Sequence, residues 1–169
     1  NSVKDTTFYF YGSSQKRLGA SGLTDASAMD QSVTIDGNLS SVQASVLYAS
    51  ILNNRITIAT IVYNLSTRTY FTGTSGEEKA TFAYKYWTNT SNVRVVKETT
   101  VYEYDGSGAM TKSIVYRSDA VASIGTGNVA VLIAEPIKKS ETIYQGAEGL
   151  EKADYTLNYQ GTTYATNSV

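Results

Sequence analysis

The sequence contains no cysteine and no histidine. The first absence excludes disulfides, thiolate metal sites and cysteine nucleophiles, so nothing covalent staples the fold. The second removes the commonest general base and the commonest metal ligand. Ser-His-Asp hydrolysis, zinc hydrolysis and most transition-metal chemistry go with it. Proline occurs once, at Pro136. Neither sign of charge predominates, with 14 basic residues against 15 acidic ones. No basic stripe runs through the chain, which argues against a phosphate-tracking nucleic-acid surface. Long hydrophobic runs are missing too. The longest, NVAVLIAEPI, is far too short to span a bilayer. No catalytic set, no cofactor and no metal site are expected.

What is present points to strands. Tyrosine occurs 14 times among abundant Thr and Ser, and Thr and Tyr favour pleated, half-buried surfaces. Gly and Asn punctuate the chain at short intervals, the pattern of a sandwich or barrel. A chain of 169 residues makes one domain and buries roughly 70% of its unfolded surface. The low charge and hydroxyl-rich composition resemble those of secreted and cell-surface proteins. The chain opens on Asn1 rather than Met, as a processed terminus or an omitted leader leaves it.

The first strand signal, DTTFYFYG, sets Phe8 and Phe10 on one face and Tyr9 and Tyr11 on the other. A polar loop of about twenty residues follows, long for a compact domain. Its glycines and Lys-Arg pair lack the spacing of a phosphate-binding loop, so it reads as a surface loop or a contact with a neighbour. SVTIDGN is a short strand running into a turn.

Ser41–Leu65 then carries two apolar-alternating runs joined by Asn53-Asn54. Asn tolerates positive φ and suits two-residue hairpin loops. A helix capped by Ser40 is the rival reading, and the β-branched second arm favours the hairpin. Eleven residues per arm give roughly 36 Å, close to the diameter of the whole domain. Such a ribbon needs covering, and a second copy of the chain is the simplest cover.

KATFAYKYW reads as a strand, and SNVRVVKETTVYEY and TKSIVYRS read as a hairpin around DGSG. NVAVLIAEPI reads as a central strand buried on both faces and ended by Pro136. AEGLEKA, residues 147–153, reads as one helical turn. DYTLNYQGTTYAT closes the chain, with Tyr155, Leu157 and Tyr159 on one face.

Carboxylates are the only acid–base route left. Asp25, Asp30, Glu103 and Asp105 are the candidates for a glycosidase-type pair, against the plainer reading that Asp and Gly simply build turns. DGSG at Asp105–Gly108 lacks the alternating ligands and closing Glu of a calcium loop. Three N-x-[ST] triplets, at Asn38, Asn64 and Asn89, are N-glycosylation acceptors if the chain passes through a glycosylating pathway.

Together these features predict a single all-β domain over residues 1–169, a sandwich or barrel with one long hairpin over about 41–65 and at most one short helical turn. Residues 1–11 are expected to form an exchanged or donated strand. The expected function is non-enzymatic: a structural subunit that joins copies of itself through strand edges into an extracellular filament or pilus, or a tube or virion-type assembly. Phe8, Tyr9, Phe10, Tyr11, Asn53, Asn54, Ile56 and Ile58 are the expected interface. The alternative is a secreted carbohydrate-binding sandwich whose partner is a surface glycan, with Tyr84, Tyr86 and Trp87, or Tyr102 and Tyr104, as its platform. A carboxylate glycosidase ranks third.

Overall fold

The computed structural model describes residues 3–12, 16–17, 22–37, 51–52, 55–58 and 61–160, without side-chain detail at 16–17, 51–52, 55–58 and 61–62. The chain is all-β. Its strands are β1 (Asp5–Tyr11), β2 (Lys16–Arg17), β3 (Met29–Asp36), β4 (Ile51–Leu52), β5 (Arg55–Ile58), β6 (Ile61–Thr72), β7 (Lys79–Thr88), β8 (Arg94–Tyr104), β9 (Met110–Arg117), β10 (Val121–Ile124), β11 (Ala130–Leu132), β12 (Lys138–Gln145) and β13 (Lys152–Asn158). One 3₁₀ turn, Thr126–Asn128, is the helical element among the described residues. No helix among them is long and apolar enough to cross a membrane.

Eleven strands form one sheet in the order β13-β12-β9-β8-β7-β6-β3-β1-β2, with β5 on β6 and β4 on β5. The remaining two, β10 and β11, pair as a separate ribbon. The layers are therefore unequal, and among the described residues no pairing joins β13 to β1 or β2 to close a barrel.

Alternation in the sequence sorts the two faces of the sheet. One row of directly opposed residues crosses it as Phe10, Gln31, Tyr70, Phe82, Val101, Ile114, Glu141 and Leu157. The neighbouring row, on the other face, is Tyr9, Ser32, Thr69, Ala83, Thr100, Val115, Ser140 and Asn158. The first face carries the core; the second is paved with small and hydroxyl-bearing side chains. Phe8, Phe10, Val33, Ile35, Leu65 and Tyr86 make one core cluster. Ile114, Tyr116 and Ala120 make a second, against which Val101 and Leu132 pack. Ala120 and Leu132 belong to the segment carrying the ribbon, so the ribbon lies on the core face.

Asn128, in the left-handed region at φ 57°, ties the ribbon tip to the sheet. Its side-chain amide donates to the Phe71 carbonyl (2.8 Å), to Asp30 Oδ1 (2.9 Å) and to the Asp30 carbonyl (3.2 Å). The Thr81 hydroxyl donates back to the Asn128 carbonyl at 2.7 Å.

Three expectations change here. The chain reverses between β4 and β5, with Leu52 opposite Arg55, across the expected Asn53-Asn54 position. The second arm is not one strand, however: β5 pairs antiparallel with the start of β6, Ile58 opposite Ile61. A second reversal lets Arg55–Ile58 pair with its immediate neighbour, which involves less loop-closure entropy than a distant partner. Residues 41–50, 53 and 54 lie outside the described residues. NVAVLIAEPI is not a central strand. It supplies the short β11, and Val129, Val131 and Ile133 are 53%, 48% and 41% exposed. Its apolar side chains pair across a two-stranded ribbon that has one face on the sheet and one outside. Finally, the helical turn falls at 126–128; residues 147–150 are a tight turn that leads into β13.

Candidate functional site: sheet edges and the turn cluster

The expected interface residues separate. Phe8 and Phe10 are 3% and 4% exposed in the chain's own core. β1 pairs along its whole length with β3, from Asp5 opposite Asp36 to Tyr11 opposite Met29. Tyr9 faces the other way and is 51% exposed, while Tyr11 is half-buried. The Phe/Tyr alternation resolves this way because burying a phenol requires a partner for its hydroxyl and burying a phenyl ring does not. Ile56 and Ile58 lie in β5; Asn53 and Asn54 are outside the described residues, as is the acceptor Asn38. Asn64 is half-buried in β6 opposite Arg55. Asn89 builds the β7–β8 turn: its Oδ1 accepts from the backbone N–H of Ser91 and of Val93.

Two edges of the sheet stand out instead. At one, β2 pairs with β1 at Phe10 and Tyr11. At the far end β13 pairs, among the described residues, only with β12, and all seven of its residues are exposed. Tyr155 and Leu157 are 52% and 46% exposed on the core side of the sheet. Natural sheets usually blunt such an edge with charge, proline, a bulge or a cover. Here the blunting is slight: one bulge near Ile143, and Lys152 and Asp154 as the charged residues of the strand.

The candidate aromatic platform is divided. Tyr86 is buried and Trp87 is 45% exposed on the opposite side of β7. Tyr84 belongs to a packed aromatic series on the core face. There Tyr70 stacks on Phe82 at 4.4 Å, and Tyr84 meets Tyr70, Phe82 and Tyr86 at 6.2, 5.4 and 6.0 Å. Arg68 lies over the Tyr70 ring at 4.7 Å and donates to Gln31 Oε1 at 2.7 Å. Tyr104 donates its hydroxyl to the Ala80 carbonyl at 2.9 Å.

Three of the four candidate carboxylates are engaged in structural contacts. Asp105 Oδ1 accepts from the Ser107 hydroxyl (2.7 Å), the Ser107 N–H (2.9 Å) and the Ala109 N–H (3.0 Å). The Ser107 hydroxyl, with these amides, holds the Asp105 carboxyl below its ordinary range. Glu103 pairs with Lys112 at 3.6 Å. Asp25 is exposed. Asp30 accepts from Asn128 through Oδ1, and its buried Oδ2 has no hydrogen-bond partner among the described residues.

Three hairpin turns converge on an open groove of about 940 Å³, lined by Gly73, Glu77, Lys79, Tyr104, Asp105, Gly108 and Glu148 among others. Lys79 organises it. Its ammonium donates to the Gly108 carbonyl at 2.8 Å, pairs with Glu148 and lies 5.6 Å from the Tyr104 ring centre. Gly108, at φ 92°, is the residue that permits this approach, since a Cβ there would collide with the Lys79 ammonium. Glu78 accepts from the Met29 N–H and Glu151 from the Met110 N–H, both at 2.9 Å. The groove fastens turns together. No cluster of three or more potential metal ligands occurs among the described residues.

These contacts predict the acid response. The Met29 amide lowers the Glu78 carboxyl, the Met110 amide lowers Glu151, Lys139 lowers Glu98, and Lys138 lowers Glu141. A depressed carboxyl contributes stability that is present above its unfolded pKa and lost as pH falls through the folded value. With no histidine to titrate, the urea midpoint is expected to be level from about pH 5.5 to 8.5. It should fall steadily below about pH 4.5, the ordinary glutamate value. A midpoint at pH 3.5 equal to that at pH 7 would show that these pairings contribute nothing.

No family model, curated protein or solved structure matches the chain.

Proposed function

We propose that this protein is a non-enzymatic structural subunit that assembles with copies of itself by pairing sheet edges, into an extracellular filament, pilus or tube-like assembly. The observation that carries the reading is β13, an edge strand seven residues long, exposed throughout and bearing Tyr155 and Leu157 on the core side. Its outward N–H and C=O groups are a template for another strand, and its apolar side chains gain burial when one arrives. Asp105 and Glu103 favour the same reading, because the first carboxylate holds a turn and the second an ion pair. The glycan-binding alternative has less behind it, since its aromatic platform is divided between the two faces of β7.

Deleting residues 1–11 is a poor test, because it removes Phe8 and Phe10 from the core. Leu157→Lys is a better one. Leu157 is 46% exposed, so the folded chain tolerates the charge, whereas a strand docking beside it must desolvate that charge. Light scattering over a concentration series is expected to show growing assemblies for the natural chain and a monomer for Leu157→Lys, with identical circular dichroism. A natural chain that stays monomeric at the highest soluble concentration sinks the proposal.

A further inference from the structure

Residues 118–137 leave the sheet and return to it without interrupting it. β9 and β12, on either side of this excursion, pair with each other directly. Tyr116 lies opposite Lys138, and the Arg117 N–H donates to the Ile137 carbonyl at 2.8 Å. The register of the sheet is therefore complete behind the ribbon of β10 and β11. The ribbon buries little of itself. Ala120 is buried at its base and Leu132 packs half-buried beside it, whereas three of the four residues of β10 are exposed. A two-stranded hairpin of this size is at best marginally stable alone in water, so its attachments decide whether it lies on the sheet.

The two attachments differ in kind. At the base, the buried Thr99 hydroxyl donates to the Ser118 carbonyl at 2.8 Å and accepts from the Ala120 N–H at 3.1 Å. At the tip, the Asn128 amide reaches Asp30 on β3 and Phe71 on β6, and the Asn128 carbonyl accepts from Thr81 on β7. Both side chains that meet Asn128 come from β-bulges. Asp30 is the extra residue where β3 passes from Gln31 opposite Phe10 to Met29 opposite Tyr11. Thr81 is the extra residue where β7 passes from Phe82 opposite Tyr70 to Ala80 opposite Phe71. A bulge bends its strand and re-aims a side chain, and bulges gather beside functional positions. The tip also carries strain. Asn128 has left-handed backbone at φ 57°, a sparsely populated conformation for a residue with a side chain. The buried Asp30 Oδ2 has no hydrogen-bond partner among the described residues, and its lost hydration is uncompensated. Ser118, where the excursion leaves β9, is left-handed as well, at φ 58°. We infer that residues 118–137 are a hinged strap. It turns on Ser118 and Ala120 at the base, Asn128 is its latch, and the tip lifts from β3, β6 and β7 while the sheet stays folded.

The strap does not depend on the edge-assembly reading and is tested apart from it. Local opening releases a few amides and exposes little surface, so it answers weakly to denaturant, whereas global unfolding answers steeply. Native-state hydrogen exchange, followed residue by residue by NMR in low urea, separates the two. In the natural chain the amides of β10 and β11 are expected to exchange faster than those of β7, β8 and β9, and at a rate nearly independent of urea. Asn128→Gly tests the latch. It removes the side-chain amide and keeps the left-handed backbone accessible. In that variant the ribbon amides should exchange faster by about tenfold or more, because the hydrogen bonds of the tip are lost, and the circular dichroism of the sheet should persist. Ribbon amides that Asn128→Gly leaves unmoved would overturn the latch. Ribbon amides that share the urea slope and the rates of β7–β9 in the natural chain would overturn the hinge, since the strap would then open only with the whole domain. A variant without the circular dichroism of the sheet would overturn it too, because the sheet would then need the strap.

Discussion

Between pH 10 and pH 11 the folded protein is expected to lose about 2 kcal/mol of stability, far more than any change between pH 6 and pH 9. The most buried contributors are Tyr70 and Tyr86, 5% and 6% exposed on the core face, and burial raises Tyr84, Tyr102, Tyr104 and Tyr116 as well. Burial raises the Tyr70 and Tyr86 hydroxyls above their ordinary value of 10.0, Tyr86 the further; Arg68 opposes the shift at each without cancelling it. In the unfolded chain both phenols ionise near pH 10, so above it the unfolded state binds fewer protons than the native state. Stability is therefore full below pH 10 and declines as pH rises toward the folded values, by about 1.4 kcal/mol per group per pH unit. Lys112 and Lys138 act in the same direction. Glu103 chiefly raises the first and Glu141 the second, so their contribution is lost as pH climbs past the unfolded lysine value. Both lysines are partly solvated, which keeps that contribution small. Urea midpoints at pH 9, 10 and 11 measure the decline, and Tyr86→Phe should reduce it. A level midpoint to pH 11 would mean that these hydroxyls ionise in place.

Phe82→Ala is expected to cost about 3–5 kcal/mol, with a fall in melting temperature of about 10 °C for a chain of this size. Phe82 is fully buried, at the middle of the row that runs from Phe10 to Leu157. It stacks on Tyr70 at 4.4 Å with 15° between the planes and meets Tyr84 edge-on. Truncation removes its transfer free energy, leaves a cavity that a sheet backbone cannot close, and deletes both ring contacts. Phe82→Leu should recover more than half of the loss. A change below 1 kcal/mol in chemical denaturation would show that the core face is loosely packed at its centre.

Much of this architecture was legible because strand alternation is a local signal. The hairpin of β8 and β9 around DGSG formed as expected, with Glu103 opposite Lys112 and Tyr104 opposite Met110. So did the reversal between Leu52 and Arg55. The second reversal, between Ile58 and Ile61, was hidden because apolar residues continue through it and no glycine or proline punctuates the turn. NVAVLIAEPI misled for a different reason. An apolar run reports that a segment seeks partners, not how many faces it will bury. The better signal was the alternation on both sides of GTGN, from VASI to VAVL, which marks a short hairpin. The candidate interface moved because edge status is a property of strand order. β13 reads like any closing strand, and nothing within its seven residues says that only one neighbour will flank it. The Phe/Tyr alternation of β1 was visible, but the side that would be buried depended on β3 and β6, whose Val33, Ile35 and Leu65 share its core.

The spatial sequence of the eight main strands, β1, β3, β6, β7, β8, β9, β12 and β13, repeats their order along the chain. Ribosomal synthesis can thus lay the sheet down one strand at a time, each new strand docking on the last.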